Sequence, residues 1–137
     1  MSFSSRTMQE NDWESLKYFK KSEFAYPENM GYEFMMWLDR LRDIAGVQMN
    51  VSSSFRTPEH NQRVKGASNS AHCLIPCEAV DIRKHIKDND KHWNYARFRI
   101  VKIALEMGCR RLGIYLNGSL HIDRSEQHPN DRIWIQV

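Results

Sequence analysis

The sequence lacks the features of a membrane protein and of a disulfide-stabilised one. Its 137 residues contain no apolar run approaching the roughly 20 residues of a membrane span. The segment from Met1 to Glu14 has no apolar centre of the kind found in a signal peptide. Only three cysteines are present, an odd number that argues against a disulfide framework and suits a reducing compartment. We therefore expect cytoplasmic synthesis without a signal peptide, with any external target reached by another route.

A strong excess of charge is also missing. The net charge is +3, and the basic residues are not concentrated as a dedicated nucleic-acid binder requires. Hydrophobic residues make up 41% and charged residues 27%, which is ordinary for a globular protein. We expect one monomeric domain over residues 1–137, with residues 1–12 as a loosely ordered N-terminal arm. A weakly basic nucleic-acid binder stays as a minor alternative, which predicts binding that weakens steeply with salt.

Apolar residues at helical spacing predict two long helices. Phe34, Leu38, Leu41 and Ala45 mark the first, for which Gly46 is the stop signal. A second helix is predicted from Asn94 to Met107, with Phe98, Val101 and Leu105 on one face. A short helix between them begins at Pro58, with Thr57 as its cap.

Alternation and turn residues predict five strands. Asn117-Gly118 between two apolar runs is typical of a hairpin with a type I′ turn. Helices and hairpin-linked strands are mixed without a regular βαβ rhythm, so we predict an α+β fold with a small, mostly antiparallel sheet and helices packed against it. The predicted strands are Val47–Val51, Ala79–Arg83, Leu112–Leu116, Ser119–Asp123 and a last one carrying Ile133, Ile135 and Val137.

Two segments far apart in the chain carry groups that bind metal ions. On a strand, His121 and Asp123 point to the same face, because side chains two residues apart do. Asp81 lies between Val80 and Ile82, and a carboxylate in an apolar strand is costly to bury unless it is paired or bound to metal. His72 follows a loop of small polar residues that could orient its imidazole. If the two segments meet in space, they form a zinc site of the kind that keeps one position open for water, and the protein is a metallohydrolase.

Two other features allow different interpretations. Arg56 follows a run of serines at the end of a strand, where a guanidinium could clamp a substrate carboxylate or form a surface salt bridge. Cys73 and Cys77 lie close to His72 and offer a rival metal site, although the second pair of ligands that such a site needs is missing.

The ordered succession of several fragments resembles the D-alanyl-D-alanine carboxypeptidase family of zinc peptidases. That family includes phage peptidoglycan endopeptidases and is similar in fold to the hedgehog signalling domain. The resemblance covers about residues 16–135. It rests on Phe19-Lys20-Lys21-Ser22-Glu23-Phe24, Ser53-Ser54-Phe55-Arg56-Thr57-Pro58-Glu59-His60-Asn61, Gly66, Ser70-Ala71-His72, Ala79-Val80-Asp81-Ile82, Gly113-Ile114-Tyr115, Leu120-His121-Ile122-Asp123 and Arg132-Ile133-Trp134.

The resemblance implies His72, Asp81 and His121 as zinc ligands. It implies Arg56 and Ser70 as residues that hold the substrate, and peptidoglycan peptides containing D-amino acids as the substrate class. Many members place an acidic residue three positions before the last histidine, where this chain has Gly118. Asp123 is then the available carboxylate, as general base or as a residue that supports the ligands. The loop from His72 to Asp81, with eight intervening residues, is two residues longer than the family's usual spacing and lacks its glycine.

The function that the resemblance implies is zinc-dependent hydrolysis of stem peptides, as a carboxypeptidase or an endopeptidase. An enzyme of this kind without a signal peptide resembles a phage lysin or a component of a phage particle, acting on the cell wall after release. The alternative is a binding or structural module that keeps the fold without activity, which both Gly118 and the longer loop allow.

Overall fold

Three α-helices and five strands form one core in the computed structural model, which describes residues 6–136. Helix α1 runs from Tyr32 to Ala45 and ends at Gly46, whose φ of 68° is the left-handed conformation that glycine adopts readily. Helix α2 spans Pro58–Arg63, and the Thr57 side chain accepts a hydrogen bond from the His60 amide as predicted for its cap. Helix α3 spans Asp90–Glu106 and packs against α1.

The strands form a single mixed sheet in the order β1-β2-β4-β3-β5. Neighbouring strands are antiparallel except β3 and β5, which are parallel. The predicted α+β class with a mostly antiparallel sheet is therefore confirmed. The strands are β1 (Asn50–Ser53), β2 (Ala79–Arg83), β3 (Arg111–Tyr115), β4 (Leu120–Asp123) and β5 (Arg132–Gln136).

Strand register separates the two faces of the sheet by chemistry. Val80 pairs with Ile122 and Ile82 with Leu120, and all four side chains are buried in the core that the sheet shares with α1 and α3. Because side chains alternate along a strand, the residues between them face the other side. The register therefore places Asp81 opposite His121 on that second face.

Helix α3 buries a different face from the one predicted. Phe98 is 62% exposed and Leu105 45% exposed, so the apolar face that the sequence marks with these residues is not the one that the helix buries. The buried stripe consists of Trp93, Ala96, Ile100, Ile103 and Ala104. The helix carries apolar residues on more than one side, and the packing against α1 and the sheet selects among them.

Two smaller predictions also need correction. Strand β1 begins at Asn50, three residues later than the alternation in Val47–Val51 indicated. In the hairpin, only Gly118 has a positive φ, of 90°, so the turn is not of type I′. The Gly118 amide donates to the Tyr115 carbonyl and the Tyr115 amide to the Ser119 carbonyl, which makes a three-residue connection with glycine in the left-handed position.

The N-terminal segment is attached along residues 6–12, where the sequence suggested a loose arm. The Met8 amide donates to the Met30 carbonyl at 2.9 Å, and the Met8 side chain is buried. Arg6 forms an ion pair with Asp12. Residues 1–5 and Val137 lie outside the described residues. Within the described part of the chain, no helix combines the length and apolar character needed to cross a membrane.

Candidate metal centre

His72, Asp81 and His121 meet at one point on the polar face of the sheet. The Oδ1 atom of Asp81 lies 2.9 Å from Nδ1 of His121 and 3.2 Å from Nε2 of His72. Those two ring nitrogens are 3.2 Å apart. All three residues are buried, with exposed fractions of 2%, 6% and 7% in chain order. The convergence that the sequence could only state as a condition is therefore present.

Hydrogen bonds on the far side of each imidazole determine which nitrogen faces this point. Nδ1 of His72 lies 2.6 Å from the Ser54 carbonyl oxygen, which can only accept, so Nδ1 carries the proton. Nε2 of His121 lies 2.6 Å from Oδ2 of Asp123, and it likewise donates to that carboxylate. Each neutral ring then presents the lone pair of its other nitrogen to the same point as Asp81 Oδ1.

This donor set fits a metal ion. Two imidazole nitrogens 3.2 Å apart, both with lone pairs facing inward, have no proton to share unless one ring becomes charged. A cation between them and the Asp81 carboxylate satisfies all three acceptors. Two histidines and one carboxylate are also the ligand set of a zinc site with an open position. Within residues 6–136, this is the one group of three or more His, Cys, Asp or Glu side chains close enough to hold a metal ion.

The ionisation of these groups follows from burial and from one another. Burial opposes ionisation of Asp81, but the nearby His121 and His72 rings, which hydrogen-bond to it when they are protonated, prevail and hold the pKa of its carboxyl well below the usual range. Burial also opposes the charged form of His121, yet the Asp123 and Asp81 carboxylates raise its pKa to about 8. The Asp81 carboxylate is therefore ionised, and the two carboxylates that favour a proton on His121 also favour a metal cation at its Nδ1 in place of that proton.

Asp123 lies behind His121 and does not line the cleft. Its side chain is 0% exposed. One oxygen accepts from His121, and the other accepts from Arg111 Nε at 2.6 Å and from the Ser125 amide at 3.0 Å. Both carboxylate oxygens are therefore engaged, at a distance from the space that a substrate would occupy.

Arg56 is engaged inside the protein as well. Its Nη2 donates to Asp81 Oδ2 at 3.3 Å, its Nη1 to Asn61 Oδ1 at 3.0 Å and its Nε to Ser53 Oγ at 3.1 Å. Because it holds the Asp81 oxygen that points away from the two histidines, the guanidinium orients the carboxylate as well as lining the cleft.

Tyr115 is a site residue that the sequence analysis did not identify. Its hydroxyl donates to Asp81 Oδ2 at 3.0 Å, beside the bond from Arg56. Burial and the Asp81 charge raise the pKa of this hydroxyl, so it stays protonated and acts as a donor. The alternation of β3 indicates that residues 111, 113 and 115 share a face. Only the strand order shows that this face lies on the same side as Asp81.

Trp134 on β5 forms one wall of the site. Its ring centroid lies 5.5 Å from that of His121. The opposite residue on β3 is Gly113, where a Cβ atom would come within 2.8 Å of the Trp134 indole. Glycine therefore allows the indole to lie across the strand and cover the histidine.

The three predicted ligands open onto a cavity of about 540 Å³. Ser70 also lines it, and its Oγ accepts a hydrogen bond from the His72 amide at 3.2 Å, so the serine fixes the turn that carries the ligand. Other lining residues include Arg56, Lys65, Arg111, Tyr115, His128 and Trp134.

The longer loop between His72 and Asp81 extends away from the ligands. Its Cys77 amide donates to the Asn29 carbonyl, and the Cys77 carbonyl accepts from the Gly31 amide, both at 2.8 Å. The loop is therefore held against the segment that precedes α1. The Cys77 thiol is buried among carbonyl groups, and burial raises its pKa to about 12, which disfavours the thiolate that a zinc ligand requires.

Comparison with known proteins agrees with this geometry. A model of the family described as Peptidase M15 matches residues 11–123, which include His72, Asp81 and His121. No curated protein and no solved structure matches the chain. The resemblance seen in the sequence is thus confirmed for the family, without indicating any particular member.

Proposed function

Because the chain belongs to the Peptidase M15 family, we propose that it is a zinc-dependent peptidase with His72, Asp81 and His121 as its metal ligands. The observation that carries this assignment is the convergence of two buried imidazole nitrogens on the Asp81 carboxylate, while the other nitrogen of each ring lies against a hydrogen-bond acceptor. A zinc ion held there supplies the Lewis acidity that polarises a scissile carbonyl and lowers the pKa of a water molecule.

The surrounding side chains orient the ligands. Asp123 keeps the proton of His121 on Nε2, so that Nδ1 faces the metal position. Arg56 and Tyr115 hold one oxygen of Asp81 and leave the other for the metal. We assign Asp123 this orienting role rather than that of general base, since its carboxylate is buried and both oxygens are engaged.

We propose peptidoglycan stem peptides containing D-amino acids as the substrate class, with cleavage as a carboxypeptidase or an endopeptidase. The support is the resemblance around Arg56 and Ser70, both of which line the cleft. Action on the cell wall as a phage lysin, or as part of a phage particle, is the corresponding biological role that we predict.

An inactive binding module on the same fold is the second candidate. Among the described residues that line the cleft, Asp81 is the sole carboxylate, so a general base of the usual kind is missing. Position 118, where many members have an acid, is a glycine whose carbonyl accepts from Trp93 and Arg97 on α3.

Metal analysis combined with digestion of defined muropeptides tests the proposal. We expect about one zinc ion per chain and release of peptide products. His72→Ala and Asp81→Ala should abolish both properties while circular dichroism still reports a folded chain. His92→Ala is the matched control, because that imidazole lies on the exposed side of α3 and lines no part of the cleft.

Three outcomes separate the alternatives. Zinc without hydrolysis of any muropeptide favours the inactive module. Zinc that is lost only when Cys73 and Cys77 are replaced by serine contradicts the histidine site. Hydrolysis that persists in both His72→Ala and Asp81→Ala contradicts the peptidase mechanism proposed here.

A further inference from the structure

Lys65 adopts a backbone conformation that favours glycine. It follows the last turn of α2 with a φ of 58°, in the left-handed region. Its amide donates to the Gln62 carbonyl at 3.1 Å, and the next amide, of Gly66, donates to the Asn61 carbonyl at 2.9 Å. Glycine is the usual residue at such a helix end, because a Cβ atom is strained there. A lysine side chain is thus present at a conformational cost.

The turn that carries Lys65 is fixed against the metal centre. At Gly66, a Cβ atom would lie 2.0 Å from Asn61 Oδ1 and 3.0 Å from Arg56 Nη1, so the backbone packs directly on these side chains. Asn61 Nδ2 also donates to the Ala67 carbonyl at 2.8 Å. Since Arg56 in turn contacts Asp81, the position of Lys65 is tied to the ligand set.

Lys65 lines the same cavity as the three ligands and is exposed to it. The other cationic side chains of this cavity have partners. Arg56 binds Asp81, Asn61 and Ser53, as described above. Arg111 donates to Asp123 and to the Pro129 carbonyl and lies over the Trp134 ring.

His128 is also engaged, between Ser125 Oγ at 2.7 Å and the Asn69 carbonyl. Within the part of the chain that the structure describes, the Lys65 ammonium has no hydrogen bond or ion pair. Lys65 therefore supplies the positive charge that remains available to a ligand in the cleft.

We propose that Lys65 is a specificity-determining residue that binds a carboxylate of the peptide substrate in the cleft. The carboxylate belongs either to the C-terminus of the peptide or to an acidic side chain near the scissile bond. This inference rests on the proposed function in so far as the ligand is a peptide. It assigns to Lys65 the clamp that the sequence suggested for Arg56, whose guanidinium already holds Asp81.

Binding of product-length peptides to the zinc-loaded protein tests this role without requiring turnover. Titration calorimetry would compare a peptide ending in a D-alanine carboxylate with its C-terminal amide. A second pair would differ only in a D-glutamate or D-glutamine side chain. In one of the two pairs, we expect the wild type to bind the peptide with the carboxylate roughly 3–10-fold more tightly than the peptide with the amide. The pair that shows this difference identifies which carboxylate Lys65 binds.

Three substitutions separate charge from backbone strain. Lys65→Met removes the charge and keeps the side-chain stem, and Lys65→Gly removes the charge while relieving the left-handed backbone. Both should bind acid and amide equally. Lys65→Arg should keep the preference, which should weaken with added salt. Lys91→Met, on the exposed start of α3 and outside the cleft, should match the wild type.

The binding and cleavage experiments test the role of Lys65 and the peptidase function separately. A wild type that does not distinguish acid from amide, or a preference that survives in Lys65→Met and Lys65→Gly, overturns the role of Lys65. A preference that depends on Lys65, together with no cleavage of any muropeptide, contradicts the peptidase function and leaves the role of Lys65 intact.

Discussion

Replacing Asp123 by asparagine should weaken zinc binding more than any change outside the ligand set. The substitution keeps the shape of the side chain and removes its charge. His121 then loses the carboxylate that lies 2.6 Å from its Nε2 and holds the proton there. With a neutral partner, the imidazole is less basic and its two tautomers become closer in energy, so Nδ1 is a poorer ligand.

The magnitude follows from the burial of this carboxylate. Asp123 is 0% exposed and accepts from His121, Arg111 and the Ser125 amide. Loss of a carboxylate that supports a metal-binding histidine typically costs roughly 10–100-fold in metal affinity, or about 1.4–2.7 kcal/mol. The fold loses stability as well, by up to about 3–5 kcal/mol, because Arg111 loses its buried charged partner.

Competition with a chelator of known affinity would measure the zinc dissociation constant, at a temperature where both proteins are folded. Asp131→Asn is the control, since it removes the partner of Arg110 in an exposed Arg–Asp pair and leaves His121 untouched. A dissociation constant for Asp123→Asn equal to that of the wild type would refute the orienting role. If turnover stays at least 100-fold low at saturating zinc, Asp123 contributes to catalysis beyond holding the metal, which the orienting role does not explain.

Three further predictions concern stability and the support of Asp81. Burial and the nearby Glu126 raise the pKa of Glu78 to about 7. The native state therefore retains a proton that the unfolded chain releases, and stability falls as pH rises from about 4.5 to 7, by at most about 3 kcal/mol. Glu78→Gln should remove this loss, so in urea unfolding the variant should be about 1–2 kcal/mol more stable than the wild type at pH 8 and nearly equal to it at pH 4. A wild-type free energy of unfolding that rises between pH 4.5 and 7 would contradict the prediction. Tyr115→Phe, which deletes the hydroxyl bonded to Asp81, should weaken zinc binding by roughly tenfold in the chelator assay, and an unchanged affinity would exclude this support. In urea unfolding, Ile100→Ala should lower the free energy of unfolding by about 2–5 kcal/mol and Phe98→Ala by less than about 0.5 kcal/mol. The reverse order would indicate that α3 buries the face of Phe98.

Local patterns in the sequence were sufficient for much of the fold, whereas the three converging ligands were predicted from the resemblance to the peptidase family. The spacing of apolar residues predicted α1, and the Thr57-Pro58 signal predicted the start of α2. The bounds of β2 are the same in sequence and structure, Ala79–Arg83. These features depend on neighbours in the chain, through periodicity and capping, and so can be read without knowledge of the fold.

Features that depend on strand order and packing could not be predicted in this way. Tyr115 is brought to Asp81 only because β4 lies between β2 and β3. The buried location of Asp123 depends on Arg111, which stands opposite it in the β3–β4 register. The face of α3 was misjudged because Phe98 and Ile100 are equally apolar in sequence, and only contact with the sheet and α1 distinguishes them.

Groups proposed to hold the metal ion and the group proposed to bind the substrate carboxylate lie on different parts of the fold. The proposed metal ligands Asp81 and His121, and Asp123 to which we assign an orienting role, lie on paired strands. A shift of one residue in the pairing would turn every side chain to the other face. Lys65, which we propose meets the substrate, lies instead on the connection after α2. Substitution of Lys65 can therefore change which peptide binds while the metal centre keeps its geometry. Substitutions on the polar face of the sheet should affect zinc binding first and activity as a consequence.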